Sequence, residues 1–225
     1  MSAEFFKKKY ILIVGVLTSI FVVLGVYFYT LYLDRATVEA VSQNYYFLVS
    51  NSTHVEASTH QIVMDGGAGY LLEKDGQKYV TVSTYLTGDE AESVQNSLDM
   101  DTQIITFGVE KLYFKTREQK ANAKQIKGAF QSLANSIEVL SQTIVRLENG
   151  GTQEACKRVL EILKRQFAYL GKAYATLLPS YSKLCQGAEK QIEKLVEDTV
   201  FVSNLRCLQS ELCYSYVCLA REFSL

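Results

Sequence analysis

The sequence predicts an α+β chain in three parts: one N-terminal transmembrane helix, a small β-α-β-β-α-β domain, and a C-terminal antiparallel helical bundle. Three observations predict it. Residues 10–33 are an uncharged apolar run, and a bilayer is crossed by roughly 20 such residues. Residues 45–115 alternate short β-rich runs with helix-like ones, separated by turn signals. From Thr116 onward apolar residues recur at spacings of three and four, the period of packed helices.

The run begins at Tyr10, directly after Lys7, Lys8 and Lys9, and ends at Leu33, with Tyr27, Tyr29 and Tyr32 near its far end. Aromatic belts at both ends and lysines before the span place residues 1–9 in the cytoplasm as a tip and everything after the span outside it. A cleaved signal peptide is the alternative, but it requires a shorter apolar stretch and a small-residue cleavage site, which Leu33-Asp34-Arg35 is not. Residues 34–44 then read as a short stalk.

Residues 45–50 (Tyr-Tyr-Phe-Leu-Val-Ser) read as a strand, closed by the turn formers Asn51, Ser52 and Thr53. Residues 56–64 supply two helical turns with Ile62 and Val63 toward the core, ended by Gly66, Gly67 and Gly69. Residues 70–74 and 78–83 flank Asp75-Gly76-Gln77, and Asp-Gly between β-rich runs signals an antiparallel hairpin. Thr87 caps the next helix, with Glu90 placed for a capping box and Asp89 at the positive end of the dipole. Its face is Ala91, Val94 and Leu98. Residues 103–107 form the last strand, paired with the first and continuing past Gly108 through Val109. This order gives a four-stranded antiparallel sheet with both helices on one face and the other face open.

Residues 79–98, Tyr-Val-Thr-Val-Ser-Thr-Tyr-Leu-Thr-Gly-Asp-Glu-Ala-Glu-Ser-Val-Gln-Asn-Ser-Leu, resemble the second half of a sporulation-related repeat (SPOR) domain. Members carry an alternating strand ending in Gly-Pro-Phe, then Ala and Leu at fixed distances; Tyr85, Ala91 and Leu98 fit, as do Val80 and Val82. The resemblance covers residues 45–115, with residues 46–50 in the place of the first strand. Ser83 and Thr84 replace the Gly and Pro, Leu48 replaces a usual Gln, and Ser50, Asn51 and Ser52 replace a Gly-Ser-Phe-like ending. What the resemblance implies is binding of peptidoglycan glycan strands through the open sheet face. With Phe47, Val49, Val80 and Val82 turned inward, strand alternation places Tyr46, Leu48, Ser50, Tyr79, Thr81 and Ser83 on that face as the glycan-binding residues.

Residues 116–225 read as a helical bundle. Ile126, Phe130, Leu133, Ile137, Leu140, Ile144 and Leu147 form one seam, ended by Asn149-Gly150-Gly151. Cys156, Leu160, Leu163, Phe167, Leu170, Tyr174 and Leu177 form a second, ended at Pro179. A third segment over residues 181–223 carries Leu184, Ile192, Leu195, Val202, Leu205, Leu212 and Leu219, with Gly187 a weak point. Beyond Arg206 it overhangs the hairpin of the first two. Leu208, Leu212, Tyr216, Leu219 and Phe223 are then left to fold back, to self-associate, or to receive another envelope protein.

All five cysteines lie in the second half, and no spacing resembles a zinc site. Counting helical rise from Pro179 brings Cys156 about one turn from the level of Cys207, the pair best placed for a disulfide. Cys213 and Cys218 point in different directions on one helix. The formal charge of −1 excludes an ordinary nucleic-acid binder. Residues 45–115 hold ten acidic and four basic side chains and residues 116–225 eleven and fifteen, an acidic part followed by a basic one.

His54 and His60 lack a partner at ligand spacing, and Asp65, Glu73 and Asp89 are scattered over turns and caps. No enzyme, metal or cofactor is therefore expected. The expected function is a single-pass, membrane-anchored, extracytoplasmic cell-envelope protein of bacteria, binding glycan in division, sporulation or wall maintenance. Its partners are glycan strands and the lipid bilayer around residues 10–33. The rival reading, favoured by the departures at Leu48, Ser50, Ser83 and Thr84, is a non-enzymatic scaffold that uses sheet and bundle for protein–protein contacts.

Overall fold

The computed structural model describes Val22, Leu24 and residues 37–51 and 55–224. In chain order its elements are β1 (Thr37–Ser50), α1 (Val55–Met64), β2 (Tyr70–Lys74), β3 (Gln77–Tyr85), α2 (Gly88–Ser97), β4 (Thr102–Phe114), α3 (Arg117–Ala121), α4 (Ala123–Glu148), α5 (Gln153–Ala173), α6 (Pro179–Glu197) and α7 (Val202–Arg221). The strands form one antiparallel sheet in the order β2-β3-β1-β4. The β2-β3 hairpin turns on Asp75 and Gly76, both with positive φ, 53° and 76°, as the tightest hairpin turns require. Thr87 caps α2 by accepting from the Glu90 amide, and Thr116 and Thr152 cap α3 and α5 likewise, each supplying an acceptor to an otherwise orphaned N–H.

The sheet is sandwiched. On one face Leu48, Val80 and Val82 pack with Ile62 of α1, and Val94 of α2 joins them. On the other, Tyr45, Phe47, Val49, Leu72, Ile105 and Phe107 belong to the large core built with α4 and α7. Aromatic rings carry much of this second contact: Tyr216 meets Tyr45 at 5.4 Å and Phe130 at 5.1 Å, and Tyr214 meets Phe107 at 5.9 Å, all edge-on, the arrangement ring quadrupoles favour. The α4 and α5 seams form as their spacing predicts, Ile126 to Ile144 and Cys156 to Leu170 being buried.

The expected fold needs four corrections. First, the span over residues 10–33 lies outside the described residues except for Val22 and Leu24, and among the described residues no helix is long and apolar enough to cross a membrane. The single-pass membrane placement is not supported, nor is the extracytoplasmic, cell-envelope localisation that depended on it.

Second, the self-contained β-α-β-β-α-β module with an open face, set beside a separate bundle, is not what forms. The face expected to be open is covered by α4 and α7, which joins the sheet and the helices in one core. Third, the expected stalk is in large part strand: Thr37 to Ala40 pair with Lys111 to Phe114, lengthening both β1 and β4. Polar side chains hid this stretch, because its cross-strand partners lie more than sixty residues away.

Fourth, the third helical segment is not continuous. It breaks after Glu197, not at Gly187, and the turn is held by Gln153 of α5, which donates to the Val200 carbonyl at 2.9 Å and accepts from the Val200 amide at 3.0 Å. The break lets α6 stay against α5 while α7 crosses to the sheet and α4. The helical count from Pro179 that paired Cys207 with Cys156 assumed one continuous helix, and two helices stand in its place. All five cysteines are free, with Cys156, Cys185 and Cys213 buried.

Candidate functional site

The residues expected to bind glycan do not share a face. Cross-strand pairing sets Val49 opposite Thr81 and Phe47 opposite Thr84, and all four look toward α4 and α7, with Tyr79 packed on the same core. Tyr46, Leu48 and Ser50 point the other way, toward α1 and α2, where the Tyr46 ring lies against Gly88 and Leu48 is buried. A β-bulge between Leu48 and Val49 shifts the register here. Thr81 is fully buried, and Ser83 nearly so.

Ser83 does line a cleft, whose walls also include the buried polar side chains Thr84 and Gln209. It opens where α2 and the end of β3 face α4 and the first turns of α7. Two adjoining cavities, of about 460 and 650 Å3, share Glu90, Ser141 and Val145 and so form one trough. Leu86, Val94, Ile144 and Val145 give it apolar walls, and Tyr85 is its single aromatic among the described residues.

The inner end is built by α7. Arg206 donates through Nη1 to the Gly66 carbonyl at 3.0 Å and through Nη2 to Glu148 at 2.5 Å, tying α7 to the loop after α1 and to the end of α4. Ser210 donates to the Arg206 carbonyl and shares a 2.8 Å hydrogen bond with Thr84, which fastens α7 to β3. Arg206 and Gln209 stand three residues apart, so they lie on one side of the helix. Both line the cavity.

Two side-chain donors there stay unused. Gln209 is 2 % exposed, yet its Nε2 finds no acceptor among the described residues, and the Arg206 Nε is in the same position. A buried donor without an acceptor costs about 1–3 kcal/mol, and since neither atom is open to the cavity, both are a local cost of seating α7 against β3 and α4. Beside them burial raises the pKa of the Tyr85 hydroxyl, opposed by its hydrogen bond with Ser83, so this phenol stays protonated. Among the described residues no group of His, Cys, Asp and Glu is placed to hold a metal ion, and His60 is exposed on α1; His54 lies outside the described residues.

Sequence reasoning missed Arg206, Gln209, Glu90 and Val145. Gln209 alone carried a signal, as a polar residue on the apolar face that includes Leu205, Leu208 and Leu212. No family model, curated protein or solved structure matches the chain, so membership of the SPOR family is neither supported nor excluded.

Proposed function

We propose that this chain is a non-enzymatic interaction protein whose cleft between α2 and α4 receives an extended segment of a partner polypeptide. The observation that carries the reading is the open trough itself, two adjoining cavities of about 460 and 650 Å3 with apolar walls from Leu86, Val94, Ile144 and Val145 between polar rims. An extended peptide offers apolar side chains for Leu86, Val94 and Val145, and backbone polar groups at intervals of about 3.3 Å for the polar rims. A glycan fits less well. Sugar rings call for flat aromatic surfaces, of which this trough has Tyr85, and the sheet face on which the glycan reading depended is filled by α4 and α7.

Selection of displayed random peptides on the purified protein tests this. Val145 is half exposed on the trough wall, and Val145→Arg puts a bulky charge across it without touching the core. Enriched peptides that bind the wild type and not Val145→Arg are the expected result. No enrichment, or peptides held equally by both proteins, contradicts the proposal.

A further inference from the structure

We infer that the outer face of α5 docks on an anionic lipid surface, its cations on headgroup phosphates and its Ile162 and Tyr169 among the headgroups; the contact is peripheral and crosses no bilayer. α5 and α6 pair with each other and rest on α4 and α7, away from the sheet. The buried seam of α5 uses Cys156, Leu160, Leu163, Phe167 and Leu170. Opposite it, Arg158, Ile162, Arg165, Tyr169 and Lys172 recur at spacings of four and three, and all five are exposed, so they stand in one line along the helix.

Two independent features of that face favour lipid. The first is charge. From Ile162 to Ile192, through the turn into α6, every exposed charged residue is a cation: Arg165, Lys172, Lys183 and Lys190. None of the four enters an ion pair among the described residues, and the carboxylate of this stretch, on Glu189, is half-buried. The second is bare apolar surface. Tyr169 is 71 % and Ile162 65 % exposed, and among the large apolar side chains of the described residues Met64 alone exceeds them. A merely solvated face accounts for the cations and gives no reason for an isoleucine and a tyrosine in line with them.

The alternation decides between anionic partners. The centre of a protein interface is depleted of charge, whereas here cations and apolar side chains alternate along the middle of the face. A nucleic-acid backbone takes the cations and has no use for Ile162. At a bilayer surface tyrosine sits at the headgroup level, anionic lipid attracts each nearby lysine or arginine, and an aliphatic side chain gains by leaving water at the acyl boundary.

The chain has no tryptophan, so Tyr169→Trp puts a single reporter on this face of the full-length protein. Its emission is followed as vesicles are added, either of phosphatidylcholine alone or of phosphatidylcholine mixed with phosphatidylserine, with and without brominated acyl chains. With the mixed vesicles the indole is expected to shift to the blue and to be quenched by bromine, at an affinity about tenfold above that for neutral vesicles and falling as salt is raised. Adding Arg165→Glu and Lys172→Glu, in a protein first shown by its melting curve to be folded, should remove the preference. Adding Ile162→Ala instead should weaken binding severalfold and leave its dependence on phosphatidylserine intact.

Emission that ignores both vesicles, or moves equally with both, overturns the inference, and any attachment then belongs to another part of the chain. A shift with phosphatidylserine that bromine does not quench is attraction to negative charge at large, which overturns lipid docking in favour of an acidic protein partner. Binding untouched by the two charge reversals overturns it as well.

Discussion

Thr81 has its hydroxyl fully buried beneath α7, without a hydrogen-bond partner among the described residues. Thr81→Val keeps the shape and removes the unsatisfied group, so it should raise stability by about 1 kcal/mol, read as a higher urea midpoint at unchanged slope. Thr81→Glu should leave the protein unfolded, since a charge in this core costs several kcal/mol. On an open sheet surface the same substitution would be nearly silent. The two substitutions therefore also decide between the face expected from alternation and the face observed. Alternation misled in β1 because Tyr45, Phe47, Leu48 and Val49 are all fully buried. A strand covered on both sides has no polar residues to mark a solvent face, and either assignment of its two faces satisfies the pattern. That unbroken apolar run was itself the legible sign of two-sided burial.

Among the helices, α7 reaches three strands, β2, β3 and β4, as well as α4 and α6. Leu205, Leu208, Leu212, Tyr216 and Leu219 lie along one seam and Cys213, Val217 and Ala220 beside it, all buried, which is the mark of a helix enclosed on most of its circumference. Leu212 is 1 % exposed, and Leu212→Ala should cost about 2–5 kcal/mol. Circular dichroism and tyrosine fluorescence should follow this loss as one transition, because sheet and bundle share the core. Separate transitions would mean two independent units. Ile162, 65 % exposed on α5, is the control, and Ile162→Ala should stay within about 0.5 kcal/mol of wild type.

The α4 and α5 seams, the Asp75-Gly76 hairpin and the Thr87 cap were legible because each is set within a few neighbouring residues. The placement of α7 was not, for it depends on Val200 meeting Gln153 and on Thr84 meeting Ser210. Nor was the cleft, since its walls come from segments that only the finished fold brings together.

At the scale of the whole molecule, buried acidic protons predict how stability responds to alkali. Burial raises the Cys185 thiol from its ordinary 9.0 to about 12, partly opposed by the neighbouring Tyr181 hydroxyl, and Cys213 is raised well above 9.0 by burial as well. Below pH 9.0 both folded and unfolded chains keep these protons. Above it the unfolded chain loses them first, so stability should fall as pH rises toward 12, by about 1.4 kcal/mol per unit for each thiol. Melting temperatures measured in reducing buffer should hold level to pH 9.0 and then drop, less steeply in Cys185→Ala. A drop that ignores Cys185→Ala would place its cause elsewhere. The position of α7 in chain order also shapes how the fold is reached. Every strand precedes it, and its hydrogen bond to β3 spans 126 residues, so the costly closing of long loops must come before the contacts that reward it. Until α7 docks, Tyr45, Phe47 and Phe107 lack the ring contacts of Tyr216 and Tyr214 and line a half-covered sheet, a surface on which unfinished chains stick to one another. The helix that completes the core thus also shields the folding chain from aggregation, and the speed of its arrival sets how long that risk lasts.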